Sequence, residues 1–249
     1  MAKIWVGCCG FSMSKKKYYE MFEAVEIQET FYNLPSKSRM EKWRAESPQN
    51  FIFTMKAWQV ITHPRTSPTW RRLKGELRGD PNNYGFLRPT KENIQAWEDT
   101  LEIAKAVGAK AIVLQLPPKL ELKESTYKDI SEFLSKISWE GFLLAIEPRN
   151  KTWDKNRDMV KSLFEKFNII HCVDIFKRQP VDTGEAYYIR LHGLGGEINY
   201  RYKYTDQDLK RLKNLITPLL DANKDIFVMF NNIHMTDDAL RFKRILTQS

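Results

Sequence analysis

Short, nearly continuous runs of apolar residues recur along the chain, and each is bounded by polar or turn-forming residues. Runs of this kind are typical of β-strands that are covered on both faces. Eight strands are predicted in this way, at residues 4–8, 25–30, 51–57, 111–116, 142–147, 169–174, 186–192 and 226–231. The pattern therefore predicts a mainly parallel sheet that is enclosed by other elements.

Helical periodicity separates most of these strands. Thr90 is a candidate N-cap, and four apolar residues follow it at helical spacing: Ile94, Trp97, Leu101 and Ala104. A second set lies in the same way behind Thr205: Leu209, Leu212, Ile216 and Leu219. Eight strands that alternate with helices in 249 residues predict an α/β fold, a single (β/α)8 TIM barrel over residues 1–249. A doubly wound open sheet is the alternative.

Two connections depart from an ideal barrel. The link from Asp174 to Ala186 is short and contains Pro180 and Gly184, which predicts a reduced or missing helix after the sixth strand. The link over residues 58–91 is too long for a plain loop, so we predict an insertion or lid after the third strand. The first turn after a strand lacks the G-x-G-x-x-G fingerprint, which weakens a dinucleotide-binding interpretation.

Polar residues recur where the apolar runs end. Period-2 alternation places Lys56 on the same strand face as Ile52 and Thr54, and the other strands repeat this arrangement. Inward side chains at the carboxyl ends of barrel strands line the mouth in which active sites lie. Eight residues are therefore predicted at one mouth: Glu26, Lys56, Gln115, Glu147, Asp174, Arg190, His192 and Asn231.

These charges have two interpretations. A buried, unpaired charge costs several kcal/mol, so the groups must pair with one another or with a ligand. They could form a closed structural network, such as Glu26–Lys56 and Glu147–Arg190. We favour a functional site, because charges that converge in a cleft tend to mark function.

The seventh strand runs into a glycine-rich loop, where Arg190 and His192 project on one face. Gly193 begins this loop, and Tyr202 lies in the tyrosine-rich run that follows. Barrels often bind phosphate after strands seven and eight, so this loop is a candidate phosphate cradle.

The formal net charge of +9 permits an anionic partner without requiring one. Much of the basic character lies in the insertion, where aromatic residues are interleaved with six cations: Arg65, Arg71, Arg72, Lys74, Arg78 and Arg88. This composition fits either a lid over a nucleic acid or nucleotide, or a solvated flap packed on the barrel. The chain has no apolar run of membrane-spanning length and three cysteines without a disulfide pattern, which predicts a cytoplasmic protein.

Residues 25–36, V-E-I-Q-E-T-F-Y-N-L-P-S, resemble the V-E-I-N-x-T-F-Y-x-L-P signature of domain-of-unknown-function family 72 (YecE-like). Four further segments resemble that family: M-K-A at 55–57 with T-H at 62–63, L-Q-L-P-P at 114–118, I-R-L-H-G at 189–193 and F-N-N at 230–232. The resemblance spans nearly the whole chain. It implies a TIM barrel related in architecture to xylose isomerase and endonuclease IV, and it implies no established activity.

The chain departs from this family pattern at two places. Gln28 stands where the family usually has Asn, and E-P-R-N at 147–150 replaces the usual E-F-R-H. A mechanism that needs the missing histidine is therefore not carried over to this chain.

The metal content is left open. Four histidines are too few for a trinuclear zinc site of the endonuclease IV kind, which the sequence therefore disfavours. A single divalent cation held by Glu26, Glu147, Asp174 and His192 is one option, because carboxylate-rich sites suit Mg²⁺ or Mn²⁺. Lys56 and Arg190 would place fixed positive charge beside such an ion and favour an anionic ligand instead.

Three functions follow from these residues. The first is an enzyme that acts on a phosphate-bearing or nucleic-acid substrate by acid–base or metal-assisted hydrolysis. The second is a sugar-type isomerase or lyase that uses Lys56 as a Schiff-base or proton-transfer group. The third is a nucleic-acid-binding module without turnover. The oligomeric state is left open.

The residue roles are assigned as follows. Glu147 or Asp174 is the predicted base or metal ligand and His192 the predicted acid, while Lys56 and Arg190 clamp the substrate. The catalytic candidates are Glu26, Lys56, Glu147, Asp174 and His192. The substrate-binding candidates are Tyr32, Gln115, Arg149, Arg190, Gly193, Tyr202, Asn231 and Asn232.

Overall fold

A computed structural model of the protein describes residues 2–248 and shows a closed barrel of eight parallel strands. The strands pair in chain order, and the last pairs with the first. They are β1 Ile4–Cys9, β2 Ala24–Ile27, β3 Ile52–Lys56, β4 Ala109–Gln115, β5 Leu143–Glu147, β6 Ile170–Val173, β7 Ala186–Leu191 and β8 Asp225–Phe230. The predicted α/β barrel is confirmed.

In the described part of the chain, ten α-helices surround or connect the strands. They are α1 Lys15–Met21, α2 Glu29–Tyr32, α3 Lys37–Glu46, α4 Gln59–Thr62, α5 Lys91–Val107, α6 Glu124–Lys136, α7 Lys151–Lys155, α8 Arg157–Lys166, α9 Asp206–Ile216 and α10 Met235–Thr247. Short 3₁₀ turns lie at Pro68–Arg72, Pro81–Asn83 and Thr217–Ala222. Both predicted N-caps are confirmed: Thr90 accepts from the Asn93 amide, and Thr205 forms a capping box with Asp208.

The chain has two apolar layers. The outer layer packs the helices against the outward faces of the strands. The inner layer fills the barrel with side chains that include Ala145, Tyr188, Phe227 and Met229. Because the inner layer is closed, polar side chains on the inward face collect at the carboxyl ends of the strands, where the register pairs Gln115 with Glu147.

The elements differ from the predictions in detail. The predicted second strand extends to residue 30, but β2 ends at Ile27, because Gln28 turns into a helical conformation and α2 begins at Glu29. No helix lies between β6 and β7, a stretch that the structure describes in full, as the Pro180 and Gly184 pattern predicts. The insertion after β3 consists of α4, two 3₁₀ turns and connecting loop before α5.

Within residues 2–248, no helix is both long enough and apolar enough to cross a membrane.

Candidate functional site

The carboxyl ends of the strands enclose a cavity of about 430 Å³ at the mouth of the barrel. Six of the predicted site residues line it: Tyr32, Lys56, Gln115, Arg190, Asn231 and Asn232. Glu26, Glu147, Asp174 and His192 are almost fully buried beside or beneath this group. The structure therefore brings these strand-end residues together at one mouth, and it also shows how their charges pair.

Arg190 is the centre of the charge network and is 0% exposed. Its Nη2 lies 2.9 Å from Glu26 Oε1, and its Nη1 donates to Glu147 Oε2 at 2.5 Å. Glu26 also accepts from the Tyr188 hydroxyl at 2.9 Å and from the Gln28 amide. Of the two structural pairs considered from the sequence, Glu147–Arg190 forms, whereas Glu26 pairs with Arg190 instead of Lys56.

Glu147 is held by a second cation, since Arg149 Nη2 lies 2.8 Å from Glu147 Oε1. Burial opposes ionisation of Glu147, but the charges of Arg149 and Arg190 outweigh it and hold its pKa well below the usual range. A carboxylate with so low a pKa is a weak proton acceptor. This arrangement disfavours Glu147 as a general base.

His192 is fixed in one tautomer by its neighbours. Arg149 Nη2 lies 2.8 Å from His192 Nε2, and because arginine only donates, Nε2 must accept. The remaining ring proton is therefore on Nδ1, which faces Asp174 Oδ2 at 3.7 Å. Burial and the nearby arginines lower the pKa of His192, so the ring is neutral near pH 7. The Nε2 position has no proton to donate, which disfavours His192 as a general acid.

Asp174 acts as an anchor for the loop after β7. Its carboxylate accepts from the His192 backbone amide at 3.0 Å and pairs with Lys177 Nζ at 2.8 Å. Burial opposes ionisation, yet these bonds from His192 and Lys177 lower the pKa of Asp174. Lys177 was missed in the sequence, although its i,i+3 spacing from Asp174 was the available signal.

Lys56 differs from the other charged residues of the mouth. It is 5% exposed, and within the described part of the chain its ammonium forms no ion pair. Nζ donates to Gln115 Oε1 at 2.9 Å and lies 3.6 Å from the centre of the Phe31 ring. Gln115 Oε1 also lies 3.4 Å from Arg190 Nη1, so the amide bridges two cations.

The pKa of Lys56 is lowered from 10.5 to about 7, first by burial and then by the charge of Arg190. A substantial fraction of this side chain is consequently a neutral amine near pH 7. Desolvation beside another cation is a known means of activating a lysine as a nucleophile or proton acceptor. Lys56 is thus an amine that lines the cavity and has a lowered pKa.

The turn after β2 positions Lys56. The Thr30 hydroxyl lies 2.7 Å from the Lys56 carbonyl and 3.2 Å from the Ile27 carbonyl, so it joins the ends of two neighbouring strands. The next residue, Phe31, supplies the ring beneath the ammonium, and Tyr32 follows at the edge of the cavity. The T-F-Y segment at residues 30–32 of the family-like motif therefore positions Lys56 and forms the cavity wall beside it.

The structure gives two predicted substrate-binding residues other contacts. The Gly193 amide donates to the Tyr204 hydroxyl at 2.8 Å, and a Cβ at Gly193 would lie 2.1 Å from the Asn199 carbonyl oxygen. The Tyr202 hydroxyl donates to Asp208 at 2.8 Å, near the start of α9. Gly193 and Tyr202 therefore pack the loop, and the Gly193 amide is not free to cradle a phosphate.

Other residues of the loops after β7 and β8 line the cavity. Tyr200, rather than Tyr202, lines the cavity, and both lie in a turn that the Tyr202 amide closes on the Asn199 carbonyl at 3.0 Å. Asn232 lines the cavity but donates its amide to Asp238 and to the Tyr202 carbonyl. The sequence reasoning also did not select the cavity-lining residues Cys9, Phe31, Thr69, Ile233 and Met235.

Metal ligands do not assemble in the mouth. Among residues 2–248, no group of three or more His, Cys, Asp or Glu side chains is placed to hold a metal ion. The physical reason is that Arg190 lies between Glu26 and Glu147, while Lys177 contacts Asp174. The donor set considered for one divalent cation therefore does not fit a shared ion in this arrangement.

Comparison with known proteins agrees with this fold. The family described as "Protein of unknown function DUF72" matches residues 13–249. UPF0759 protein YunF of Bacillus subtilis (strain 168) is 27% identical, in an alignment that covers 94% of this chain and 86% of that protein. The crystal structure of a DUF72 family protein from Enterococcus faecalis V583 superposes with a TM-score of 0.74 at 20% identity, covering 100% of this chain and 99% of that chain.

More distant barrels share only the architecture. Endonuclease IV from Thermus thermophilus has a TM-score of 0.56 at 13% identity, covering 98% of this chain and 100% of that chain. A xylose isomerase domain containing protein from Salmonella typhimurium has a TM-score of 0.56 at 12% identity, covering 96% of this chain and 94% of that chain. These similarities confirm the architecture that the motif resemblance implied.

Proposed function

This chain belongs to the DUF72 family, a family of unknown function, and on that premise we propose that its barrel mouth is a lysine-dependent active site. Lys56 is the proposed reactive amine, and the substrate is a carbonyl compound such as a sugar. The reaction class is that of an isomerase or lyase. One observation carries the proposal: Lys56 is buried in the cavity without an ion pair to any described residue, and its pKa is about 7.

The chemistry requires only the amine, the carbonyl substrate and water. The neutral amine of Lys56 attacks the carbonyl carbon, and the carbonyl oxygen leaves as water as the imine forms. The protonated imine withdraws electrons, so a neighbouring C–H or C–C bond breaks and its electron pair passes to the imine, which becomes an enamine. Water takes the proton that is released, and a proton from water returns to the enamine carbon to restore the imine. One water molecule then hydrolyses the imine, releases the product and returns the amine. The Gln115 side chain accepts from Lys56 through its oxygen, so its amide nitrogen can donate a hydrogen bond to an oxygen of the bound compound.

The geometry favours this function over hydrolysis by Glu147 and His192. Two arginines hold Glu147 as a carboxylate, and Arg149 occupies the Nε2 position of His192. Neither residue lines the cavity, whereas Lys56 does. Since the distant structural relatives include both a nuclease and a sugar-isomerase type of barrel, the fold alone does not choose between the two functions.

Reductive trapping tests this proposal. At pH 7, glyceraldehyde with borohydride is expected to modify Lys56 ahead of the surface lysines, because a neutral amine attacks the carbonyl and burial lowers the pKa of Lys56 to about 7. Peptide mass spectrometry would identify the modified residue. Lys56→Arg should abolish this adduct because it retains a cation and removes the amine, while the matched surface variant Lys110→Arg should leave it unchanged. Modification of Lys56 no faster than of Lys110 would contradict the proposal.

The insertion favours a second candidate function. This function is the binding or hydrolysis of a phosphate-bearing polymer such as a nucleic acid. Arg65, Arg71, Arg72 and Arg78 are exposed there, whereas Arg88 is bound to the backbone carbonyls of its own loop. An array of exposed arginines supplies the electrostatic part of nucleic-acid binding.

The salt dependence of the affinity for DNA tests this second candidate function. Single-stranded DNA is expected to bind weakly at low salt, and replacing Arg71, Arg72 and Arg78 together with Gln should reduce the slope of log affinity against log salt by about 2. Fluorescence anisotropy would give the slope. The control replaces three exposed lysines on other faces, Lys105, Lys110 and Lys128, with Gln. Equal slopes for both triple variants would make the insertion a solvated surface only.

A further inference from the structure

A larger cleft of about 1070 Å³ lies directly beside the mouth cavity. The two share Gln28 and Tyr32 in their walls, so they are neighbouring parts of one concave surface. The cleft runs between the turn after β2, helix α3 and the insertion. Its aromatic residues include Phe11 and Trp43.

The cleft is strongly cationic. Four basic side chains line it, Lys15, Arg39, Arg72 and Lys74, against the carboxylate of Glu29. Two of the four are already paired: Lys15 with Glu46 at 2.7 Å and Arg39 with Glu29 at 3.1 Å. Within residues 2–248, Arg72 and Lys74 form no ion pair.

Arg72 and Lys74 are nevertheless held in place. The Asn33 side chain donates to the Arg72 carbonyl at 3.0 Å and accepts from the Lys74 amide at 2.6 Å. The Arg72 guanidinium lies 3.5 Å from the centre of the Tyr32 ring, a cation–π contact. The backbone of both residues and the Arg72 guanidinium therefore have a defined position before any ligand binds, which lowers the entropy cost of binding.

A series of contacts limits the distance between the Arg72 guanidinium and the Lys56 amine. Arg72 lies 3.5 Å from the Tyr32 ring, the Tyr32 and Phe31 ring centres are 5.1 Å apart, and Lys56 Nζ lies 3.6 Å from the Phe31 ring. The Arg72 guanidinium and the Lys56 amine are thus at most about 12 Å apart. A small molecule can span this separation with a carbonyl at one end and an anionic group at the other.

We propose that Arg72 and Lys74 form a phosphate subsite, and that the substrate of the mouth is a phosphorylated carbonyl compound. The phosphate binds in the cleft while the carbonyl meets Lys56. This inference rests on the proposed function of Lys56 and adds the substrate class. Arginine and lysine bind phosphate by charge-assisted hydrogen bonds, which are stronger than neutral ones. Tyr32 forms the wall between the two parts of the substrate.

Two aldehyde probes test the subsite. Pyridoxal 5′-phosphate carries an aldehyde and a phosphate, whereas pyridoxal lacks the phosphate. With borohydride at pH 7, each probe modifies Lys56 at a measurable rate. This rate is compared between the protein with its original sequence and the double variant Arg72→Gln/Lys74→Gln. The double variant is expected to slow modification by pyridoxal 5′-phosphate roughly tenfold, the loss of one or two charged hydrogen bonds, and to leave pyridoxal unaffected. Inorganic phosphate should slow the modification of Lys56 by pyridoxal 5′-phosphate in the protein with its original sequence, and should have no such effect in the double variant.

A control with the same change of charge removes two exposed lysines on other faces, Lys105→Gln/Lys128→Gln, which do not line the cleft. This control should retain the full rate with both probes. If Lys56 is modified but the double variant at Arg72 and Lys74 keeps the full rate with pyridoxal 5′-phosphate, the phosphate subsite is refuted while the role of Lys56 stands. If neither probe modifies Lys56, both proposals fall.

Discussion

Replacing Arg190 with Met is expected to lower the free energy of unfolding by about 3–5 kcal/mol. The guanidinium is fully buried between Glu26 and Glu147, and both carboxylates would lose a charge-assisted partner inside the barrel. Met keeps the aliphatic part of the side chain but ends short of the guanidinium, so the loss reports the missing charge together with the space that the guanidinium filled. Urea unfolding at pH 7 would measure it, with the slope against urea used to verify that the unfolding transition is unchanged.

A double-mutant cycle with Glu147→Gln provides the control. Because Arg190 and Glu147 are in direct contact, the combined loss should be smaller than the sum of the single losses by about 1–3 kcal/mol. Arg149→Met, which removes the second cation at the rim, should cost less than Arg190→Met, since Glu147 keeps its contact with Arg190. A loss below about 1 kcal/mol for Arg190→Met would show that the network does not hold the mouth together.

Replacing Lys56 with Met is expected to raise the free energy of unfolding by roughly 2–4 kcal/mol at pH 7. The reason is that the folded protein holds this amine in a site that disfavours its charge, as the lowering of its pKa from 10.5 to about 7 indicates. Each unit of pKa shift corresponds to about 1.4 kcal/mol, and the lost contacts with Gln115 and Phe31 offset part of the gain. A residue retained at a cost in stability is typical of a functional site.

The increase in the free energy of unfolding that is expected for Lys56→Met depends on pH in one direction. Below pH 7, Lys56 is protonated in both the folded and the unfolded protein, and the destabilising effect of the buried charge is fully present. As the pH rises from 7 towards 10.5, the folded protein releases the proton while the unfolded chain keeps it, so the unmodified protein is stabilised by up to about 1.4 kcal/mol per pH unit. The advantage of Lys56→Met should therefore shrink across this range.

Unfolding curves at about pH 6, 7, 8 and 9, which bracket the lowered pKa, would measure the difference between the two proteins. Lys110→Met serves as the control, because it removes an exposed lysine that does not line the mouth cavity. A loss of stability in Lys56→Met, with a constant difference across these pH values, would mean that Lys56 is a partner in the charge network and is not poised for chemistry.

The two replacements are expected to act in opposite directions although both remove one buried cation from the same mouth. The difference is in the partners: Arg190 contacts two carboxylates, while Lys56 contacts an amide oxygen and an aromatic ring. Stability measurements can therefore distinguish a structural cation, Arg190, from the proposed reactive residue, Lys56, before a substrate is identified.

The sequence alone determined the architecture and the strand ends at which these charged residues meet. Eight apolar runs with helical patterns between them predict a barrel, because strands covered on both faces must be apolar and parallel strands need crossovers. Alternation along each strand places Lys56, Glu147 and Arg190 on the inward face, so their common mouth could be predicted from the pattern. The missing helix before β7 followed from Pro180 and Gly184.

Only the tertiary structure decided which charges are paired. The sequence offered Glu26–Lys56 as one structural pair, but the barrel directs both Glu26 and Glu147 to Arg190 and leaves Lys56 to Gln115. Contacts between strands that are far apart in the chain depend on the stagger of the barrel and on rotamers, and neither is encoded in local periodicity. The pKa of Lys56, the tautomer of His192 and the juxtaposition of Arg72 with the mouth all depend on these distances, because desolvation and charge interactions are set by the folded environment.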